Sequence, residues 1–180
     1  SCYERYYLGS SVARKARRQI QISAKPTSRN TPGESPMAQS SGLADKRAVV
    51  QNIIDAWKRK DVEAVLAQLT DDVEYHYLVG ERPLIGKEWV RKFLNQFAKD
   101  ISDTNHWRIT RSAESGNALL LEGVDDYLAT DGKHICYPYM GAFEFHNGLV
   151  SHWRDYADAS LINRVKQGEE LPAWLQSLVA

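Results

Sequence analysis

The chain has 180 residues, 43% of them hydrophobic and 26% charged, with 23 basic and 23 acidic side chains. That composition fits one soluble globular domain with an ordinary core and zero net charge, and the mildly acidic balance of residues 37–180 argues against a nucleic-acid surface in that part. No apolar run is long enough to cross a bilayer, and the two cysteines, Cys2 and Cys136, cannot build a disulfide framework, which suits a reducing, cytoplasmic setting.

The zero sum hides an asymmetry. Residues 1–36 hold seven Lys/Arg against two Asp/Glu; subtracted from the totals of 23 and 23, this leaves 16 and 21 for residues 37–180. The stretch "SVARKARRQIQISAKPTSRNTPGESP" is basic, rich in Ser and Pro, and has no apolar period. Residues 1–41 therefore read as a disordered basic extension and residues 42–180 as the folded domain. An Arg-rich, acid-poor stretch also fits an organelle transit peptide; an upstream extension or an added tail before Met37 is the plainer reading.

From Ser41 the pattern sharpens. "LADKRAVVQNIIDAWKRK" predicts a helix with Val49, Ile53 and Trp57 on one face and Val50 and Ile54 beside them. "DVEAVLAQL" predicts a short helix capped by Asp61, with Val62 and Val65 inward. "DVEYHYLV" reads as a strand, and "GKEWVRKFLNQFAKDI" as a helix with Trp89, Phe93 and Phe97 at four-residue spacing. Four strands follow: "HWRITRSAES", "NALLLEGVDDYLAT", "KHICYPYMGAFEF" and "LVSHWRDYA". Turns at Ser115-Gly116-Asn117, Asp131-Gly132 and Asn147-Gly148 join them. "LINRVKQG" and "LPAWLQSLV" close the chain. This order predicts an α+β fold: a curved, mostly antiparallel sheet wrapped around helices, with a cone-shaped pocket on its concave side.

Alternation then sorts the chemistry by face. Trp153, Asp155 and Ala157 share one face of the last strand, against His152, Arg154 and Tyr156. Leu119, Leu121, Gly123, Asp125 and Tyr127 share the inward face of the long strand. Ile135, Tyr137, Tyr139 and Gly141 group together, as do Tyr75 and Tyr77. Most of these are ordinary core positions, because a sheet tyrosine is an apolar ring with one polar atom. Asp155 is harder to explain that way, since a carboxylate between Trp153 and Ala157 must be paired or protonated. Two inward carboxylates, Asp155 and Asp125, raise each other's proton affinity, which is the arrangement for paired acid and base. The five histidines show no metal-ligand spacing, so no metal is expected. There is also no Gly-rich phosphate loop, Ser nucleophile elbow or local Cys-His signature. No cofactor follows from the sequence.

The string "YMGAFEFHNGLVSHWRDYAD" (139–158) closely resembles the end of the sheet in limonene-1,2-epoxide hydrolases. These belong to the SnoaL-like, cystatin-type α+β superfamily, with ketosteroid isomerase, scytalone dehydratase and polyketide cyclases. The resemblance covers about residues 43–165. It implies a cofactor-independent acid–base enzyme acting on a small apolar molecule, with a cyclase, isomerase, dehydratase or non-catalytic ligand-binding domain as alternatives. In the epoxide hydrolases an Asp on the last strand is the base. A Tyr and an Asn on the first strand help it hold water, and an Asp on the long central strand is the acid. Carried over, these imply Asp155 as base, Tyr75 as the water-holding Tyr and Asp125 as acid, with Tyr77, Leu119, Leu121, Tyr137, Tyr139 and Trp153 lining the pocket. Two positions depart. The Arg that bridges the two carboxylates falls at Gly123, and the Asn falls at Tyr77. Gly123 is expected to leave room for a bulkier substrate. Ketosteroid isomerase fits less well, since its base would fall at Tyr77 and its oxyanion Tyr near Ile53. The resemblance also implies a homodimer, with Trp107 and Tyr156, read as outward, at the interface.

Overall fold

The computed structural model describes residues 45–180, so the basic extension expected over residues 1–41 lies outside the described residues. Asp45 opens α1 (Lys46–Lys58) by accepting the Arg47 and Ala48 N–H groups, and Asp61 opens α2 (Val62–Leu66) by accepting that of Ala64. These short polar side chains satisfy N–H groups that the helix cannot pair itself. α1 buries Val50, Ile53, Ile54 and Trp57, and α3 (Lys87–Phe97) buries Val90 and Leu94. Trp89, expected with Phe93 and Phe97, is exposed instead and carries Lys92 over its ring.

The sheet contains β1 (Leu69–His76), β2 (Leu84–Ile85), β3 (Ile101–Asn105), β4 (Arg108–Ser115), β5 (Ala118–Ala129), β6 (His134–His146) and β7 (Leu149–Tyr156). Its order is β2-β1-β7-β6-β5-β3, with β4 also paired to β5. It is curved and unclosed, and antiparallel except where β1 runs parallel to β7. The Asn147-Gly148 turn has positive φ at both residues, 51° and 82°, as the right-handed twist of a tight hairpin requires. α4 (Ala159–Lys166), a 3-10 turn (Ala173–Leu175) and α5 (Gln176–Val179) follow.

Two elements differ from the sequence reading. The α3 helix stops at Phe97, and "ISDTN" forms β3 against the far end of β5. The short β2 pairs with β1 through Leu84 and Tyr75.

Leu119, Leu121, Tyr139, Phe143 and Trp153 form one core with the inner faces of α1, α2 and α3. The face assignments from alternation hold on β5, β6 and β7. They fail for Trp107, which is only 7% exposed and lies in the core. The cause is a register shift in β4 between Ile109 and Arg111. Beyond it Ser112 and Glu114 pair with inward Leu121 and Leu119; before it Ile109 pairs with inward Gly123. An extra residue in one strand exchanges the faces, so strict alternation from the polar end places Trp107 on the wrong side.

Candidate active site

The inner face of β5, β6, β7 and β1 carries the groups the sequence singled out. Asp125 on β5 pairs across to Tyr137 on β6; Asp155 on β7 pairs across to Gly141, four residues further along β6. Trp153 on β7 pairs with Tyr75 on β1.

Aromatic side chains hold both carboxylates. Trp153 donates its indole N–H to Asp155 Oδ1 at 2.8 Å, and Tyr75 donates its hydroxyl to Oδ2 at 3.3 Å. Tyr137 donates to Asp125 Oδ2 at 2.6 Å. The rings brace each other: Tyr75 stacks on Trp153 at 4.1 Å, and Trp107 lies parallel to Trp153 at 6.2 Å. Tyr77, just past the end of β1, stacks on Phe93 at 4.8 Å and meets Tyr75 edge-on.

Both aspartates keep some solvent-accessible surface, although protein atoms crowd them on most sides. Water is therefore scarce around either charge. Burial raises Asp155 to about 8, with the Asp125 charge adding, while the Trp153 and Tyr75 donors work the other way. Burial raises Asp125 to about 6, against the Tyr137 donor and the positive charge of Lys166. The two titrate as a pair, and near neutral pH that pair holds about one proton.

Gly123 does not leave open space. A Cβ there would meet the Tyr139 ring at 2.6 Å and the Arg108 carbonyl oxygen at 2.8 Å. The Tyr139 ring occupies that volume, so the room expected for a bulkier substrate is already filled. Trp107 donates its indole N–H to the Tyr139 hydroxyl at 2.7 Å. Leu119 and Leu121 are each 1% exposed and closed into the core; they support the site without offering a ligand any surface. Tyr77, Tyr137, Asp125 and Asp155 keep accessible surface.

The histidines lie on outward positions. His134 contacts Asp126 Oδ1 at 2.8 Å, and Arg108 contacts its Oδ2 at 2.9 Å. The Asp126, His134 and Cys136 ligand atoms lie within 4.8 Å of one another, but both Asp126 oxygens are already engaged by these partners. Leu120, Met140 and Tyr156 are exposed on the same outer face. Sequence reasoning missed Trp107 as the partner of Tyr139, and missed Lys166 altogether. The β4 shift hid the first, and no local pattern marks the second.

Fold and site together define an α+β protein with a curved sheet and an inward pair of carboxylates. The chain matches the family described as the SnoaL-like domain over residues 50–153, more than half its length, and it belongs to that family. No curated protein matches it. Its fold is similar to that of an LEH-like epoxide hydrolase from M. tuberculosis, at 24% identity and TM-score 0.59, covering 67% of this chain and 87% of that one. An NTF2-like protein of unknown function from Burkholderia pseudomallei is similar at 21% identity and TM-score 0.61, over 68% and 98% of the two chains. A putative polyketide cyclase from Xanthomonas campestris is similar at 19% identity and TM-score 0.55, over 67% and 96%.

Proposed function

We propose that this protein is an acid–base enzyme acting on a small apolar substrate in a pocket on the concave face of the sheet, with opening of an epoxide by water as the leading reaction. The observation that carries this is the carboxylate pair. Asp125 and Asp155 are sheltered, oriented by aromatic donors, and raised to values that bracket neutrality. A purely structural carboxylate at either position would weaken the fold by its desolvation.

In this scheme one aspartate removes a proton from water as the oxygen attacks an epoxide carbon. The carbon–oxygen bond breaks, the other aspartate protonates the departing oxygen, and a diol leaves. The proton returns between the carboxyls through solvent, and no covalent intermediate forms. The family resemblance supports Asp155 as base, Asp125 as acid and Tyr75 as the group that helps hold the water. A second assignment, Asp125 as base and Asp155 as acid, is favoured by the higher proton affinity of Asp155, about 8 against about 6, which leaves the shared proton mainly there.

Incubation with terpene and aryl epoxides in isotopically heavy water tests the reaction. A diol carrying one heavy oxygen, lost in both Asp155→Asn and Asp125→Asn, is the expected result. Absence of turnover by the folded protein, with apolar ligands still bound, overturns hydrolysis in favour of a binding role or a cyclase, isomerase or dehydratase. Azide separates the two assignments, because an anionic nucleophile needs no base. It restores opening in the variant that lacks the base and not in the one that lacks the acid. A homodimer through the outer face, with Tyr156 and Met140 at its centre, completes the proposal; sedimentation velocity of the unmodified protein and Tyr156→Lys tests it.

A further inference from the structure

The Gly123 departure has a counterpart on the neighbouring strand. Gly123 and Tyr139 face each other across β5 and β6, and the Tyr139 ring lies where any side chain at 123 would begin. Along β6, Tyr139 stands between Tyr137, opposite Asp125, and Gly141, opposite Asp155. The charges of both aspartates act on its phenol. It is 6% exposed, and its oxygen accepts the Trp107 N–H at 2.7 Å. Among the described residues no acceptor takes its own hydroxyl proton. A buried hydroxyl that accepts one hydrogen bond and gives none leaves a donor unused, which is unfavourable when nothing else takes it.

From this arrangement we infer that Tyr139, held by Trp107, is a neutral hydrogen-bond donor to the substrate's reacting oxygen, standing between the two aspartates. The inference rests on the small-molecule reading above and adds a residue to it. Burial, helped by the Asp155 charge, pushes the Tyr139 phenol well above its ordinary range, so it stays a donor at any working pH. The Trp107 donor fixes the phenol oxygen and makes its O–H a stronger donor, as linked hydrogen bonds do. Trp107 is thus a positioning residue. A neutral donor has a consequence that a cation would not have. A guanidinium would stabilise both aspartates as anions, whereas a phenol leaves them sharing a proton, and that is the state in which one can give while the other takes. The substrate class follows: an apolar body with a single oxygen acceptor, such as an epoxide, ketone or cyclic ether.

A matched pair of ligands tests this without turnover. Menthone and p-menthane have the same carbon skeleton and differ by one carbonyl oxygen. The unmodified protein is expected to bind menthone about tenfold more tightly than p-menthane and to lower the carbonyl stretching frequency of bound menthone. Tyr139→Phe keeps p-menthane affinity, removes most of the tenfold preference and returns the frequency toward its value in an apolar solvent. Trp107→Phe gives an intermediate frequency, because the phenol remains but loses its brace. Preference and frequency unchanged in Tyr139→Phe overturn the donor role while the small-molecule reading stands. Binding of neither ligand to the unmodified protein overturns both. Should Tyr139→Phe prove unfolded by circular dichroism, Tyr139 substituted biosynthetically by a fluorotyrosine, a stronger donor of nearly the same shape, must lower the frequency further; an unchanged frequency there overturns the inference.

Discussion

Asp125 and Asp126 are neighbours on β5 with opposite fates. Asp125 points inward, where burial raises its proton affinity and only Tyr137 and the Lys166 charge oppose. Asp126 points outward but is only 9% exposed. Burial would raise it too, yet the His134 and Arg108 contacts outweigh that and hold it below the usual carboxylate range. One backbone step therefore separates a carboxyl poised to exchange protons from one locked as an anion. Burial raises both, more completely at Asp125, and the hydrogen bonds from His134 and Arg108 reverse it at Asp126. On the outer face Asp126 is held by His134 and the Arg108 cation, whereas on the inner face the hydrogen-bond donors to the aspartates are neutral aromatics.

The largest test of that contrast is catalytic. Asp125→Asn is expected to lower turnover by about 10²–10⁴-fold, while Asp126→Asn leaves kcat within about twofold; equal losses would erase the distinction. If the two aspartates act as proposed, kcat/KM is expected to follow a bell with limbs near 6 and 8. Stability as a function of pH separates the two faces next. Asp155 is raised in the folded state, so the fold binds protons the unfolded chain has released. Stability then falls as pH rises from about 4 toward 8. Asp155→Asn should accordingly stabilise by about 1–3 kcal/mol at pH 8 and by nothing below pH 4, as read from urea midpoints. Asp126 is lowered, so its contribution is present above the unfolded value near 4 and lost on acidification. Asp126→Asn should cost about 1–3 kcal/mol at pH 7 and progressively less as the pH falls below about 4.

Gly123→Ala probes the inner packing alone. Its methyl must displace the Tyr139 ring and the Arg108 backbone, at about 1–3 kcal/mol in thermal unfolding. The smallest effect lies on the outer side. Cys136 pairs directly with Asp126, and burial, with the Asp126 charge adding, raises its thiol to about 11. Asp126→Asn should speed alkylation of Cys136 by a few-fold at pH 8, measured on the peptide containing it.

Much of the inner face could be read from the sequence, because it depends on alternation along single strands. Leu119 to Tyr127, Tyr137 to Gly141 and Trp153 with Asp155 all follow from parity. The Gly-containing turns and the Asp61 cap likewise follow from local chemistry. What escaped depends on breaks in a period or on contacts across the fold. "ISDTN" continues a helical-looking segment, and only pairing with β5 makes it a strand. Trp107 needs the β4 register shift. The volume over Gly123 belongs to a side chain on another strand, so a missing Cβ in the sequence does not translate into a cavity. The roles of Asp155 and Asp125 were suggested by resemblance; their raised proton affinities follow from enclosure, which requires the assembled sheet.

The parallel contact between β1 and β7 joins the first long strand to the last. Tyr75 and Asp155, 80 residues apart in the chain, meet across it. Ribosomal synthesis therefore delivers Tyr75 well before its partner exists. The meander of β4 to β7 can form by successive hairpins, but the pairing of β1 with β7 must wait for the final strand, and closing so long a loop slows folding. The Tyr75–Asp155 contact thus forms only in the last stage of folding, and a nascent chain cut short before β7 carries Tyr75 and Asp125 without Asp155.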